Sequence, residues 1–444
     1  MVAGTSWGSL GARVWNSPTI TTWLLQGAQS LQIFLIAPLI LHHFDQVTAT
    51  AWFLFSSINF FGVIVMQRVM LTFSRMIGMQ VGGSKGLLFL RHITGTMGVF
   101  QIYLVLVNVL AASLLGWFSL SPIISGYQDA SHIWLAFWIF QAGSAFTFFV
   151  SRYHAILMGF NAVALSNRWN FFTLSMGLIF VASVISFGFG VVWAALASQT
   201  ISLIGGLLVR RVIPRITEVS ANFLDELRLD PAVARQAITP IWQSMIMQCA
   251  NMGVLPIAAM IVAGTGNIAL AAPFAFATRL MSAVEQIATA PFNSVQPLIS
   301  QQMAAGNLKT VHHLLHHRMI LMSFLYAGGL LTLGLGTPLV MKWIHSQISF
   351  IDFTSWMLLG LGLFLSRLNI CFLAPFISIN RIPFYWESLL QVVLGAALIH
   401  FFLKPFGLLA VGGAIIFAVV VSYRLQPYRL YRKSIVFEAE TPKQ

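Results

Sequence analysis

The residues most able to do chemistry lie in the stretch from Gly266 to Lys309. Its apolar part carries Arg279, Ser282, Glu285, Gln286, Thr289 and Asn293. At about 100° per residue these six fall within roughly a third of a helix circumference, and the other faces are Leu, Met, Ala, Val, Ile and Phe. A charge at the centre of a membrane-spanning helix costs about 2.5 to 3.5 kcal/mol, so such residues face a protein interior or a wet cavity. Arginine suits a phosphate, because its planar fork donates parallel hydrogen bonds and stays charged. Arg367, halfway along a later apolar run, has the same potential. Two readings stay open: a cationic cavity that holds a pyrophosphate, or an internal ion pair with Glu285 or Glu387 that fastens helices together. Glu285 follows Arg279 by six residues, off the three-or-four spacing of a same-helix pair. It serves either as a proton carrier or as the charge-balancing partner of an arginine on another helix. Arg68 lies nearer a helix end, where a long side chain can snorkel to water, and Glu387 reads as interfacial.

Neutral polar stripes accompany these charges. Gln26, Gln29 and Gln32 line up on the first apolar run, and Ser244, Gln248 and Asn251 on the seventh. Amides can bind sugar hydroxyls as donor and acceptor at once, and they can equally bond across helices. His312, His313, His316 and His317 contain two i, i+4 pairs, but no acid or cysteine within the run completes a metal site. They read as a basic cytoplasmic approach to the ninth helix. Cys249 and Cys371 both fall inside apolar runs and indicate no disulfide framework. Nothing calls for a cofactor.

The elements that must position these residues are membrane helices. Hydrophobic residues make up 58% of the 444 and charged ones 8%, with mean hydropathy +0.84. Soluble domains carry about 25% charged residues. Apolar runs predict about twelve spans, near Pro18 to Leu41, Val47 to Phe73, Leu87 to Phe118, His132 to Val150, Phe171 to Phe187 and Val191 to Val209. Six more follow, near Pro240 to Ala263, Asn267 to Asn293, Met319 to Ile344, Phe353 to Ile377, Pro383 to Leu403 and Leu408 to Ser422. This makes an N-lobe over 1–209, a polar linker over 210–238, a C-lobe over 239–434 and a tail over 435–444. With both termini inside, Lys342 and Lys404 fall outside and Arg68, Arg279 and Arg367 within helices; the rest of the 24 Lys and Arg lie on the cytoplasmic side. The net charge of +13 therefore reports orientation, in part substrate, and not nucleic acid.

The halves repeat. An offset of 222 residues lays Ser17-Pro18 on Thr239-Pro240, each a helix cap followed by proline, and Gln26 and Gln29 on Gln248 and Asn251. An offset of 223 lays the end of the second helix on the end of the eighth, Gly83 on Gly306, and Ser56 on Arg279. Two six-helix lobes of like orientation follow, with the axis along the membrane normal and the substrate path between them.

The eighth-helix segments APFAFATRL and TAPFNSVQPLISQQMAAGN, followed by HHLLHHR, resemble the multidrug/oligosaccharidyl-lipid/polysaccharide exporter superfamily, and within it the Wzx-type oligosaccharide flippases. The resemblance implies an all-α integral membrane protein, MATE-like, with two pseudo-symmetric six-helix bundles in a V. It implies a bacterial inner-membrane location and a polyprenyl-pyrophosphate-linked oligosaccharide, a repeat unit of O-antigen, capsule or exopolysaccharide, as the substrate. Alternating access would be coupled to a proton or sodium ion, and a glycan polymerase and glycosyltransferases would act in the same pathway. Substrate contacts fall to Arg279, Arg367, Arg68, Gln26, Gln29, Gln248, Asn251 and Asn293, with Glu285 coupling the ion. A multidrug exporter of the same fold is the first rival, although the first six helices contain no carboxylate. A membrane-embedded polymerase or ligase is the second; the longest external loop, Ser119 to Ser131, carries only Asp129 as a charge.

Overall fold

The computed structural model describes residues 17–81, 87–160, 162–217, 226–293, 295, 299, 302–303, 307–343, 345–346, 348–378 and 385–425. Among them run twelve helices: α1 (Pro18–His43), α2 (Gln46–Val81), α3 (Leu87–Ile124), α4 (Ala130–Gly159), α5 (Val163–Ser186), α6 (Val191–Thr217), α7 (Pro231–Gly264), α8 (Ile268–Asn293), α9 (Leu308–Trp343), α10 (Phe353–Ser378), α11 (Tyr385–Phe406) and α12 (Leu409–Leu425). Ten are long and apolar enough to cross a membrane; α7 bends by 56° between two apolar pieces, and the apolar part of α12 is shorter.

The order of helices matches the apolar runs, but several ends do not. α2 continues past Phe73 to Val81, α4 past Val150 to Gly159 and α6 past Val209 to Thr217, while α7 and α9 begin at Pro231 and Leu308 instead of Pro240 and Met319. A hydropathy window finds the length that crosses hydrocarbon, whereas backbone hydrogen bonding carries a helix on into polar sequence. The expected cap at Thr239-Pro240 is accordingly wrong. α7 starts nine residues earlier, where Asp230 Oδ1 accepts from the N–H groups of Ala232 (2.8 Å) and Val233 (3.3 Å) and Pro231 takes the first helical position. The Ser17-Pro18 start of α1 is as expected, with Ser17 Oγ accepting from Ile20 N at 3.5 Å. Asp45 and Asp352 cap α2 and α10 in the same way. Three of the chain's 11 acidic residues are thus spent on helix starts.

The chain forms two compact units. The first holds residues up to Phe44, Ile58–Trp117 and Ser125–Trp242; the second holds Asp45–Ser57, Phe118–Ile124 and everything from Gln243. In the first, α4 packs on α6, α1 on α5, and α5 on α6. Its interior is pinned by neutral amides: Asn59 Nδ2 donates to Ser144 Oγ (2.7 Å) and Gln101 Nε2 to the Phe148 carbonyl (2.8 Å). In the second, α8 packs on α9, α9 on α10, and α12 on both α10 and α11. At Gly412 the α12 backbone lies so close to α10 that a Cβ would sit 2.7 Å from Leu358 C and 2.8 Å from Leu359 N. Neither backbone can yield cheaply. Gly412→Ala is expected to destabilise the protein by about 1 to 3 kcal/mol, read as a lower melting temperature in detergent; an unchanged melting temperature would mean that α10 and α12 part without cost.

Part of the segment expected as a linker is docked. Glu226 pairs with Arg91, and Asp230 Oδ2 meets His92 Nδ1. Asp230 N donates to Thr96 Oγ1 at 2.9 Å, and Gly95 lets the Arg228 backbone approach α3. The hydrogen bond from Arg91 holds the Glu226 carboxyl below its ordinary range, and the one from His92 does the same for Asp230. A carboxyl with a depressed folded-state pKa contributes stability that is complete above its unfolded value, about 3.9 to 4.3, and is lost as pH falls through the folded value. The protection factors of the 226–230 amides, which remove the intrinsic pH dependence of exchange, are therefore expected to be high and flat from neutrality to about pH 5 and to fall below about pH 4. A fall that begins near pH 6 would point to another group.

Candidate functional site

The two most buried spans are α2 and α8, with 75% and 72% of their apolar stretches buried, against half or less for every other unbroken span. They are also the helices that the 223-residue offset lays on one another, and residues at about that separation meet inside the second unit. The Phe53 and Phe276 rings, 223 residues apart, lie 6.0 Å centroid to centroid. Arg279 donates through one terminal nitrogen to the Phe53 carbonyl and, at 3.4 Å, to Ser57 Oγ, 222 residues away. A helical carbonyl that already accepts from residue i+4 keeps a second lone pair, which is what Arg279 uses. Both partners are neutral. Among the described residues no carboxylate lies within salt-bridge range of Arg279. The hydroxyl reached is Ser57, one residue beyond the counterpart that the 223-residue offset assigns.

One and a half turns along α8 the electrostatics change. Glu285, 8% exposed, receives Arg367 of α10 as a fork: Nε to Oε1 at 2.9 Å and a terminal nitrogen to Oε2 at 2.8 Å. This is the bidentate geometry of a strong charge-assisted pair. Tyr326 of α9, 1% exposed, packs at 5.3 Å against Phe364 of α10 with the rings tilted by 41°, and its hydroxyl points to Met281 Sδ at 3.6 Å. Thr289 and Ser282 turn their hydroxyls back onto the α8 carbonyls of Glu285 and Thr278. Of the polar stripe read from the sequence, then, two members satisfy their own helix, Glu285 binds Arg367, and Arg279 alone keeps an uncompensated charge.

The other expected residues are placed as follows. Gln248, half-buried on α7, lies in the second unit with Arg279, Glu285 and Arg367. Arg68, half-buried on α2, and Gln26 and Gln29, half-buried and exposed on α1, lie in the first. The side chains of Asn251 and Asn293, the Gly83 and Gly306 match and the tail over 435–444 fall outside the described residues. His312, His313, His316 and His317 are exposed at the start of α9, and Glu387 sits half-buried in the first turn of α11.

Sequence reasoning missed Arg152. It is 2% exposed within α4, its guanidinium 4.0 Å from the Phe149 ring centroid and bonded to Tyr153 Oη at 3.1 Å. An apolar window that ended at Val150 put it outside the helix; the aromatic pair Phe149 and Tyr153 flanking it was the available signal. Tyr326 was missed for want of any local pattern.

Comparison with solved structures agrees with this architecture. The inward-facing conformation of a multidrug resistance MATE family transporter of the MOP superfamily matches with a TM-score of 0.70 at 15% identity, over 93% of this chain and 96% of that one. The chain has the fold of the MATE transporters. The MATE multidrug transporter DinF-BH, solved in complex with a ligand, matches equally, with a TM-score of 0.70 at 15% identity over 95% of each chain. A mutant of the Vibrio cholerae MATE transporter VcmN gives 0.63 at 15% identity, over 96% and 97%. No protein-family model matches the sequence. No curated protein matches it either. Among the described residues of this chain, the one carboxylate deep in a span is Glu285, and it is bound to Arg367.

Proposed function

We propose that this chain is a flippase that carries an anionic, polyprenyl-pyrophosphate-linked oligosaccharide across the inner membrane by ion-coupled alternating access. The observation that carries the reading is Arg279, a cation in a buried span whose partners are a carbonyl and a hydroxyl. An intramembrane charge without a counter-ion is expensive, and it persists where a ligand supplies the opposite charge. A pyrophosphate does so, and the guanidinium fork matches its oxygens. Arg367, Arg68 and the amides of Gln26, Gln29, Gln248, Asn251 and Asn293 complete the proposed set, with amides suited to sugar hydroxyls.

The multidrug reading has its own support, since the matched transporters above include a multidrug transporter solved with its ligand bound. A cationic substrate needs a carboxylate, and Glu285 would have to give up Arg367 to offer one. Deletion of the gene separates the two. On the flippase reading, lipid-linked glycan accumulates on the cytoplasmic face and susceptibility to cationic drugs is unchanged. Hypersensitivity to such drugs with normal surface glycan would overturn it.

A further inference from the structure

The Glu285–Arg367 pair is a closed, neutral unit in the middle of two spans. Both side chains are about nine-tenths buried, and all of the contact is carboxylate oxygen to guanidinium nitrogen. The groups that face it can be named. Arg367 and, one turn on, Cys371 come from α10, and Tyr326 comes from α9. α8 itself contributes Arg279 six residues earlier, and the part of α2 that meets α8, from Gln46 to Ser57, contributes no titratable side chain. No second cation among these can take over Glu285 if Arg367 leaves: Arg279 is held on α2, and the tyrosine and cysteine are neutral.

Resting on the flippase reading, we propose that Arg367 is shared, holding either the Glu285 carboxylate or a phosphate of the substrate, and that Glu285 takes up a proton when Arg367 turns to the phosphate. The step balances: two N–H···O contacts to the carboxylate are exchanged for two to phosphate oxygens, and one O–H bond forms on Glu285 from a proton of the facing solution. No electrons move. A carboxylate stranded in a span without its cation is the form that burial penalises, so protonation completes the exchange. Anion and proton then bind together, not in competition. This is the opposite sign to a carboxylate that trades a cationic drug for a proton, and the loaded protein carries one negative charge fewer than its substrate brings.

Isothermal titration of the purified protein with geranyl pyrophosphate, run in two buffers of different ionisation enthalpy, reads the protons taken up per anion bound. Wild type is expected to take up close to one proton more than Glu285→Gln, which keeps a hydrogen-bonding amide beside Arg367 and cancels the protonation of the probe itself. Glu285→Gln is expected to bind at least tenfold tighter at neutral pH, and its affinity to lose the wild-type dependence on pH. Arg367→Gln should weaken binding tenfold or more and lose the extra proton. Equal proton uptake in wild type and Glu285→Gln overturns the exchange while leaving an anion site in place. Absence of binding in every form, at every pH, overturns the exchange and the flippase reading together. Should Glu285→Gln not fold, a wild-type binding enthalpy that is the same in both buffers, which means no net proton uptake, is sufficient to reject the proposal.

Discussion

Arg279→Ala abolishes surface glycan in cells that depend on this protein, and the protein remains in the membrane at its normal level. That is the expected result, and it follows from what Arg279 does and does not touch. Its only described partners are the Phe53 carbonyl and Ser57 Oγ, so truncation removes a neutral tether between α2 and α8 and leaves no charge stranded. If the guanidinium grips a phosphate, the same truncation removes a charge-assisted contact worth about 1.5 to 3 kcal/mol, a loss of about ten- to a hundredfold. Arg279→Lys keeps the charge without the fork and is expected to recover export in part. Immunoblots of membranes beside surface-glycan gels provide the measurement. Normal export by the alanine variant would make Arg279 a structural residue.

Glu285 and Arg367 behave in the opposite way, because each is the other's counter-ion. Arg367→Ala leaves a buried carboxylate facing Tyr326 and Cys371, and Glu285→Ala leaves a buried guanidinium. Breaking a buried pair from one side costs about 3 to 5 kcal/mol. The double variant Glu285→Ala/Arg367→Ala strands nothing and is expected to be more stable than the Arg367→Ala single variant. A double-mutant cycle from thermal or denaturant unfolding in detergent measures the coupling. Additive losses would show that the fork contributes little. Transport adds a second readout: Glu285→Gln is expected to remove the dependence of export on an ion gradient, and coupling that persists would leave Glu285 a fastener.

Helix order and the all-α class were legible because each is written in local pattern. Twenty-residue apolar runs set the spans, and the offset of 222 to 223 residues that aligned the lobes is the spacing at which Phe53 meets Phe276 and Ser57 meets Arg279. Helix ends were misjudged where hydropathy ends and hydrogen bonding does not, as at Val150, Val209 and Pro240, and that error concealed Arg152 and the Asp230 cap. The polar stripe of α8 was legible from its period, but Glu285 is its one described member that is buried, while Arg279, Ser282, Gln286 and Thr289 are half-buried and the apolar faces make the core. Nothing local says that Glu285 will find Arg367, 82 residues away, or that Arg279 will rest on a backbone carbonyl. Residue type and spacing alone leave the ion-pair and phosphate readings open for both arginines. The structure divides them, with Arg367 in the pair and Arg279 without one.

The claim on which the account turns is that the substrate is an anion. Purified protein in liposomes, offered a polyprenyl-pyrophosphate-linked oligosaccharide in one experiment and a cationic dye in another, tests it most directly. Movement of the lipid-linked glycan to the opposite leaflet, lost in Arg279→Ala and accompanied by no transport of the dye, is the predicted result. Transport of the dye without movement of the glycan would contradict it.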